Sequence, residues 1–166
     1  MNLNRKSFWL GYVLGLVLTL GMGGGLFYYK FLYQPAIGLT EMGLVDLQNR
    51  PVASTRWQGQ PVVVNYWATW CAPCIAEFPL FEQAAQRAGK RVVFVMVSDE
   101  PAATIHAFAR KHPYRFTFLR VAKPLPGVNV RPVTYVYNKK KELLQKHSGS
   151  VTAAKLAALL TSLGKD

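Results

Sequence analysis

Residues 62–79 read VVVNYWATWCAPCIAEFP, and the change of pattern inside that string decides the fold. The β-branched and aromatic run 61–67, bounded by Gly59 and Pro61, suits a buried central strand. From residue 72 onward the apolar side chains Ile75, Phe78, Phe81, Ala84, Ala85 and Ala88 recur at spacings of three and four. That spacing predicts a helix over 72–88, stopped by Gly89, with Pro79 as a structural kink inside it. A strand therefore runs straight into a helix, and Cys71 and Cys74 stand at the junction.

These are the only two cysteines in 166 residues, and with two residues between them they are too close to brace distant parts of a fold. Their value is chemical or metal-binding. At a helix amino terminus, unpaired backbone N–H groups and the helix dipole favour an anion, so Cys71 is expected to ionise readily. A readily ionised thiol is a good nucleophile and a good leaving group, and Cys74, one turn on, is placed to resolve a mixed disulfide by attacking Cys71. Glu77 lies three residues after Cys74, on a neighbouring position of the same helix face. A half-buried carboxylate there would shuttle the Cys74 proton, a reading we set ahead of an exposed first-turn glutamate that merely favours the dipole.

The chain outside this string reads as one domain. Residues 42–52 suggest an edge hairpin turning at Gln48-Asn49-Arg50-Pro51. Strands are expected at 91–97 and 116–119, with an amphipathic helix over 100–111 between them. After a Pro- and Gly-rich loop at 123–129, a hairpin of 133–138 and 142–147 turns at the triplet Lys139-Lys140-Lys141, and a helix over 152–163 closes the chain. The order is ββ-α-β-α-β-β-β-α, an α/β alternation around one core.

Ahead of this domain, residues 8–29 read FWLGYVLGLVLTLGMGGGLFYY without a charge. At about 1.5 Å per helical residue such a run crosses a hydrocarbon core of about 30 Å. Aromatic residues at both ends resemble interfacial belts, and no small-residue cleavage site follows, so an uncleaved transmembrane signal-anchor is favoured over a cleaved signal. Arg5, Lys6 and the amino terminus outweigh Lys30, which places residues 1–7 in the cytoplasm and exports everything after 29. Residues 30–37 then form a tether and 38–164 the domain. The GxxxG pairs Gly11/Gly15 and Gly21/Gly25 arise easily by chance in a glycine-rich anchor, and oligomeric state stays open.

The net charge of +12, from 20 basic and 8 acidic residues, is spread along the chain. Such a surface suits anionic headgroups or acidic proteins; nucleic acid ranks last because no recognition motif accompanies the charge.

The string at 62–79 resembles the active-site segment of thioredoxin-like proteins of the TlpA/ResA/DsbE group, and the resemblance extends over roughly residues 37–164. It implies a thioredoxin-like fold, a central mixed sheet flanked by helices with an added N-terminal β-hairpin, preceded by a single transmembrane helix. It implies a thiol–disulfide oxidoreductase on the outer side of a bacterial cytoplasmic membrane, in the periplasm. The partners implied are exported protein thiols and disulfides, including those of cytochrome c maturation, and an electron-donor protein of the membrane. No metal and no cofactor beyond the Cys71–Cys74 disulfide is implied. In that group a proline preceded by a cis peptide faces the cysteines, which points to Arg131–Pro132 here, and an acidic residue stands at the place of Glu77. Trp70, Ala72, Pro73 and Arg131 fall where substrate would be met. Thioredoxin itself carries a buried aspartate at the place of Asn65; an amide cannot take a proton, so that role would pass to Glu77.

Two features depart from the group. Lys123-Pro124-Leu125-Pro126-Gly127 replaces a short helix, so the substrate-facing loop is expected to be remodelled. Arg131 stands where small or β-branched residues are usual, and two readings weigh equally: its charge stabilises the Cys71 thiolate, or its side chain points to solvent. His106, His112 and His147 read as surface residues. Two other functions stay open, a net oxidant using the same cysteines and, more distantly, a Cu(I)-binding chaperone using the two thiolates. A peroxidase frames its cysteine differently and is set aside.

Overall fold

A computed structural model describes residues 5–29 and 36–165, as two compact units, 1–35 and 36–166. Residues 1–4 of the expected cytoplasmic start and 30–35 of the expected tether lie outside the described residues.

In the first unit, helix α1 (Arg5–Phe27) contains a stretch, Ser7–Phe27, that is long and apolar enough to cross a membrane. Its composition is apolar all round, and Thr19 returns its hydroxyl to the Gly15 carbonyl at 2.8 Å.

The second unit begins earlier than the sequence suggests. Ile37, read as tether, is buried, and its carbonyl accepts a 2.6 Å hydrogen bond from the Tyr137 hydroxyl. Six strands follow: β1 (Leu44–Val45), β2 (Val62–Tyr66), β3 (Val93–Ser98), β4 (Thr117–Val121), β5 (Val133–Tyr137) and β6 (Leu143–Ser148). They form one mixed sheet in the order β1-β4-β3-β2-β5-β6, with β2, β3 and β4 parallel and the other pairings antiparallel. The expected hairpin at 42–52 is minimal. Its limbs meet in one bridge, Val45 opposite Pro51, and two backbone bonds, while Leu44 and Val45 use their other edge to pair with β4. Pro51 sits at the bridge position that calls for no N–H, flanked by Val52 N–H donating to Leu44 O and Asp46 N–H donating to Arg50 O.

Helices α2 (Ala72–Ala88) and α3 (Ala102–Lys111) are the crossovers β2-α2-β3 and β3-α3-β4. Both crossovers step the same way across the sheet, so the right-handed rule puts both helices on one face. Helix α4 (Ala153–Thr161) joins them there. The alternation of strand side chains confirms it: Val63, Phe94, Met96 and Val136 share a core with Phe78, Phe81, Ile105 and Leu156. At its centre Trp67, Phe78, Phe108, Phe116 and Phe118 meet edge to face or tilted, with ring centroids 4.8–6.3 Å apart. The opposite face, with Val62, Val64, Tyr66 and Tyr135, is covered by no α-helix but by the segment from Ile37 to Trp57, which ends in a short 3-10 turn, and by the loop that buries Leu125 and Val128. The helix missing from 123–127 is thus replaced by a turn, with Gly127 at φ 67 and Val128 N–H donating to Leu125 O.

Candidate functional site

The site lies where β2 ends. After Tyr66 the Trp67 N–H still reaches the Val97 carbonyl, then Cys71 N–H turns back to Ala68 O, and Cys71 becomes the N-cap of α2 with Pro73 in the first turn. Pro73 has no N–H to leave unpaired, and its fixed φ suits a helix start. Cys71 and Cys74 are joined as a disulfide, with Cα atoms 5.3 Å apart. Cys71 Sγ accepts the Cys74 N–H at 3.3 Å, so a free helix-end amide points at the outer sulfur. The outer sulfur's residue is 5 % exposed and Cys74 is fully buried. Around them Trp70, Ala72 and Pro73 are exposed, as is Val130, a rim residue the sequence reading passed over.

The register of the sheet explains what surrounds the pair. β5 runs antiparallel to β2 with Val133 opposite Tyr66 and Thr134 opposite Asn65. Pro132, buried just ahead of β5, is therefore brought beside the end of β2, and the Arg131–Pro132 bond is cis, as the resemblance implied. Its carbonyl accepts from Gly149 N–H at 2.8 Å, which draws the segment after β6 to the same place.

Glu77 is more deeply buried than expected, at 3 % exposure. Its Oε1 accepts from Asn65 Nδ2 at 2.8 Å and its Oε2 from Val151 N–H at 2.9 Å. Burial raises its pKa; the Val151 and Asn65 hydrogen bonds hold it partly back. Asn65 Nδ2 also donates to Thr134 Oγ1 at 3.2 Å, while its Oδ1 has no hydrogen-bond partner among the described residues. A buried carboxylate whose pKa is raised thus stands one helical turn from Cys74, and the exposed-glutamate reading does not fit.

Arg131 follows neither expectation. Its guanidinium spans 2.7 Å contacts to both carboxylate oxygens of Asp99 and to the Tyr66 hydroxyl. It also lies over the Tyr66 ring at 4.5 Å and the Trp70 ring at 5.5 Å. The side chain is mostly buried, which removes the solvent-pointing reading, and its charge is matched by Asp99. Burial, with Asp99 adding to it, pushes the Tyr66 phenol up to about 12 against the pull of Arg131. Asp99 itself was not singled out from sequence; an acid directly after a parallel strand, at the sheet end that carries the cysteines, is the signal that would have found it.

The histidines lie apart from the cysteines. His106 is exposed; His112 stacks on Phe108 at 4.4 Å and His147 contacts the Ser150 carbonyl, so both are half-buried. Among the described residues no cluster of three or more His, Cys, Asp or Glu side chains forms a metal cage.

With this geometry in hand, the chain can be set beside known proteins. The AhpC/TSA family matches residues 35–145. The thiol-disulfide oxidoreductase ResA of Halalkalibacterium halodurans is 24 % identical over 160 residues, covering 89 % of this chain and 90 % of its own. The ResA of Geobacillus thermodenitrificans is 28 % identical over 160 residues, covering 89 % and 91 %. Among solved structures, a thioredoxin-related protein of Neisseria meningitidis serogroup B superposes with a TM-score of 0.64 at 23 % identity, over 74 % of this chain and 99 % of that one. That likeness shows a thioredoxin-like fold.

Proposed function

Because this chain belongs to the AhpC/TSA family and is a thiol–disulfide oxidoreductase of the thioredoxin-like kind, we propose that it works as a membrane-anchored reductase of disulfides in exported proteins. The haem-site cysteines of apocytochromes c are one such class of substrate. Helix α1 is the anchor in this reading, with the domain on the outer side of the cytoplasmic membrane and electrons supplied by a membrane protein.

In the reduced enzyme, the Cys71 thiolate attacks one sulfur of a substrate disulfide and one substrate thiolate leaves. Glu77 takes the Cys74 proton, Cys74 attacks the Cys71 sulfur, and the second substrate thiolate leaves with the new Cys71–Cys74 bond behind it. Two electrons pass to the substrate. Trp70, Ala72, Pro73 and the Pro132 segment supply the surface on which the substrate chain lies, and Arg131 holds Trp70 in place.

One observation favours reduction over oxidation. A strong oxidant of this kind owes its potential to an unusually stabilised thiolate. Here Arg131, the cation directly before Pro132, is engaged by Asp99, so its charge is matched there rather than left to stabilise the Cys71 thiolate. The deciding measurement is the Cys71/Cys74 reduction potential by glutathione equilibration. A value near that of thioredoxin, about −270 mV, is expected, and one near −120 mV would assign net disulfide formation instead.

A further inference from the structure

At the end of the sheet opposite the disulfide, α2 and α4 diverge and leave a groove of about 720 Å³. Its floor is apolar, with Leu80, Ala84, Leu156 and Leu160, and its rim carries Arg87, Lys90, Arg91 and Lys139. Among the described residues no carboxylate lines it, and none of the four rim cations makes an ion pair. Arg91 turns to the carbonyls of Ala88 and Arg87, and the other three side chains are exposed.

This is also the end at which the chain enters the domain. Ile37 is bound by Tyr137, Tyr137 stands opposite Val62 at the start of β2, and Cys71 follows the far end of that strand. Lys141 Nζ fixes the neighbouring turn by donating to the Trp57 and Gln60 carbonyls at 2.6 Å each.

We propose that the groove receives an anionic phospholipid of the membrane that holds α1, with the phosphate at the basic rim and the glycerol and acyl carbons on the apolar floor. The proposal rests on the membrane-anchored reading above. Attraction of the four rim cations adds to the apolar contact and is screened by salt.

The test is amide hydrogen exchange on the full chain in nanodiscs of phosphatidylglycerol and, separately, of phosphatidylcholine. Exchange in 83–92 and 153–163 should be slowed by about tenfold in the anionic disc only. High salt, the paired variant Lys90→Glu/Lys139→Glu, or Ala157→Glu, which sets a carboxylate in the lining, should each remove that protection. The control Arg110→Glu/Lys111→Glu on α3 should keep it. Equal exchange in the two lipids overturns the proposal, as does protection lost equally in the α3 control, which would mark unspecific attraction. Protection given by soluble polyglutamate and not by lipid would instead assign the groove to acidic polypeptides. Carbonate extraction separates the two levels: a chain released from membranes overturns the anchor and the groove together, whereas a retained chain without protection overturns only the groove.

Discussion

Asn65 Nδ2 donates to Glu77 Oε1 across 2.8 Å inside the core, so an amide on the central strand holds a carboxylate on the active-site helix. The same Nδ2 reaches Thr134 on the neighbouring strand, and the Val151 N–H closes the other carboxylate oxygen. Glu77 is thereby kept buried and aimed while it remains the one member of the group that can exchange a proton.

Replacing that proton acceptor should slow resolution without touching the first attack. For Glu77→Gln, stopped-flow mixing with a disulfide peptide should show an unchanged bimolecular phase and a second phase slower by about 100-fold at neutral pH. The lost rate should return as pH rises and Cys74 ionises unaided. An unchanged second phase would remove Glu77 from the mechanism.

The same residue should leave its mark on stability. Burial raises the folded-state pKa of Glu77, so over that window the folded chain binds more protons than the unfolded one. Stability from this source is complete below about pH 4.3, the unfolded carboxyl value, and is lost as pH rises through the higher folded value. The difference in urea unfolding free energy between Glu77→Gln and the parent chain should therefore grow in favour of the variant from pH 4 upward. A difference that is flat in pH would show that Glu77 is not shifted.

Arg131 and Asp99 should behave as one unit. Arg131→Ala leaves the Asp99 carboxylate without its cation in a mostly buried place and should cost about 3 kcal/mol, more than the paired change Arg131→Ala/Asp99→Ala. Because the pair is matched in charge, the midpoint of the Cys71 thiolate absorbance titration should stay where it is in the paired variant. A marked rise would restore the direct role of Arg131 in stabilising the thiolate.

The two sulfurs should be separable by substitution. Cys71→Ser should abolish exchange, whereas Cys74→Ser should still attack and then accumulate a mixed disulfide with substrate, visible by non-reducing electrophoresis and mass spectrometry. Full turnover by the Cys71→Ser chain would overturn the assignment of nucleophile.

How much of this could be read from sequence follows from distance along the chain. The strand-to-helix junction at Cys71 is a local pattern and stands in the structure as read. Pro132 came from the resemblance, since nothing local distinguishes a cis bond there. Glu77 was placed on the correct helix face, but the depth of its burial depends on Val151, 74 residues away, and on Asn65, whose strand partner Thr134 is 69 residues off. Arg131 was given two roles and took a third, because its partner Asp99 lies 32 residues earlier and only the packing of β3 and β5 on either side of β2 brings them together. The hairpin at 42–52 is shorter than read, its limbs meeting only around Val45 and Pro51, and its pairing with β4, about 75 residues on, has no local signal.

The aromatic stack beneath the disulfide has one more consequence. Trp67, Phe78 and Phe108 are wedged ring against ring between the sheet and two helices, and close-packed rings of this kind yield little to a small push. Breaking a bond between Cys71 and Cys74 moves two atoms over a foundation that cannot follow. Oxidised and reduced molecules should then share one silhouette, and a visiting protein would have to tell them apart by touch at the tip.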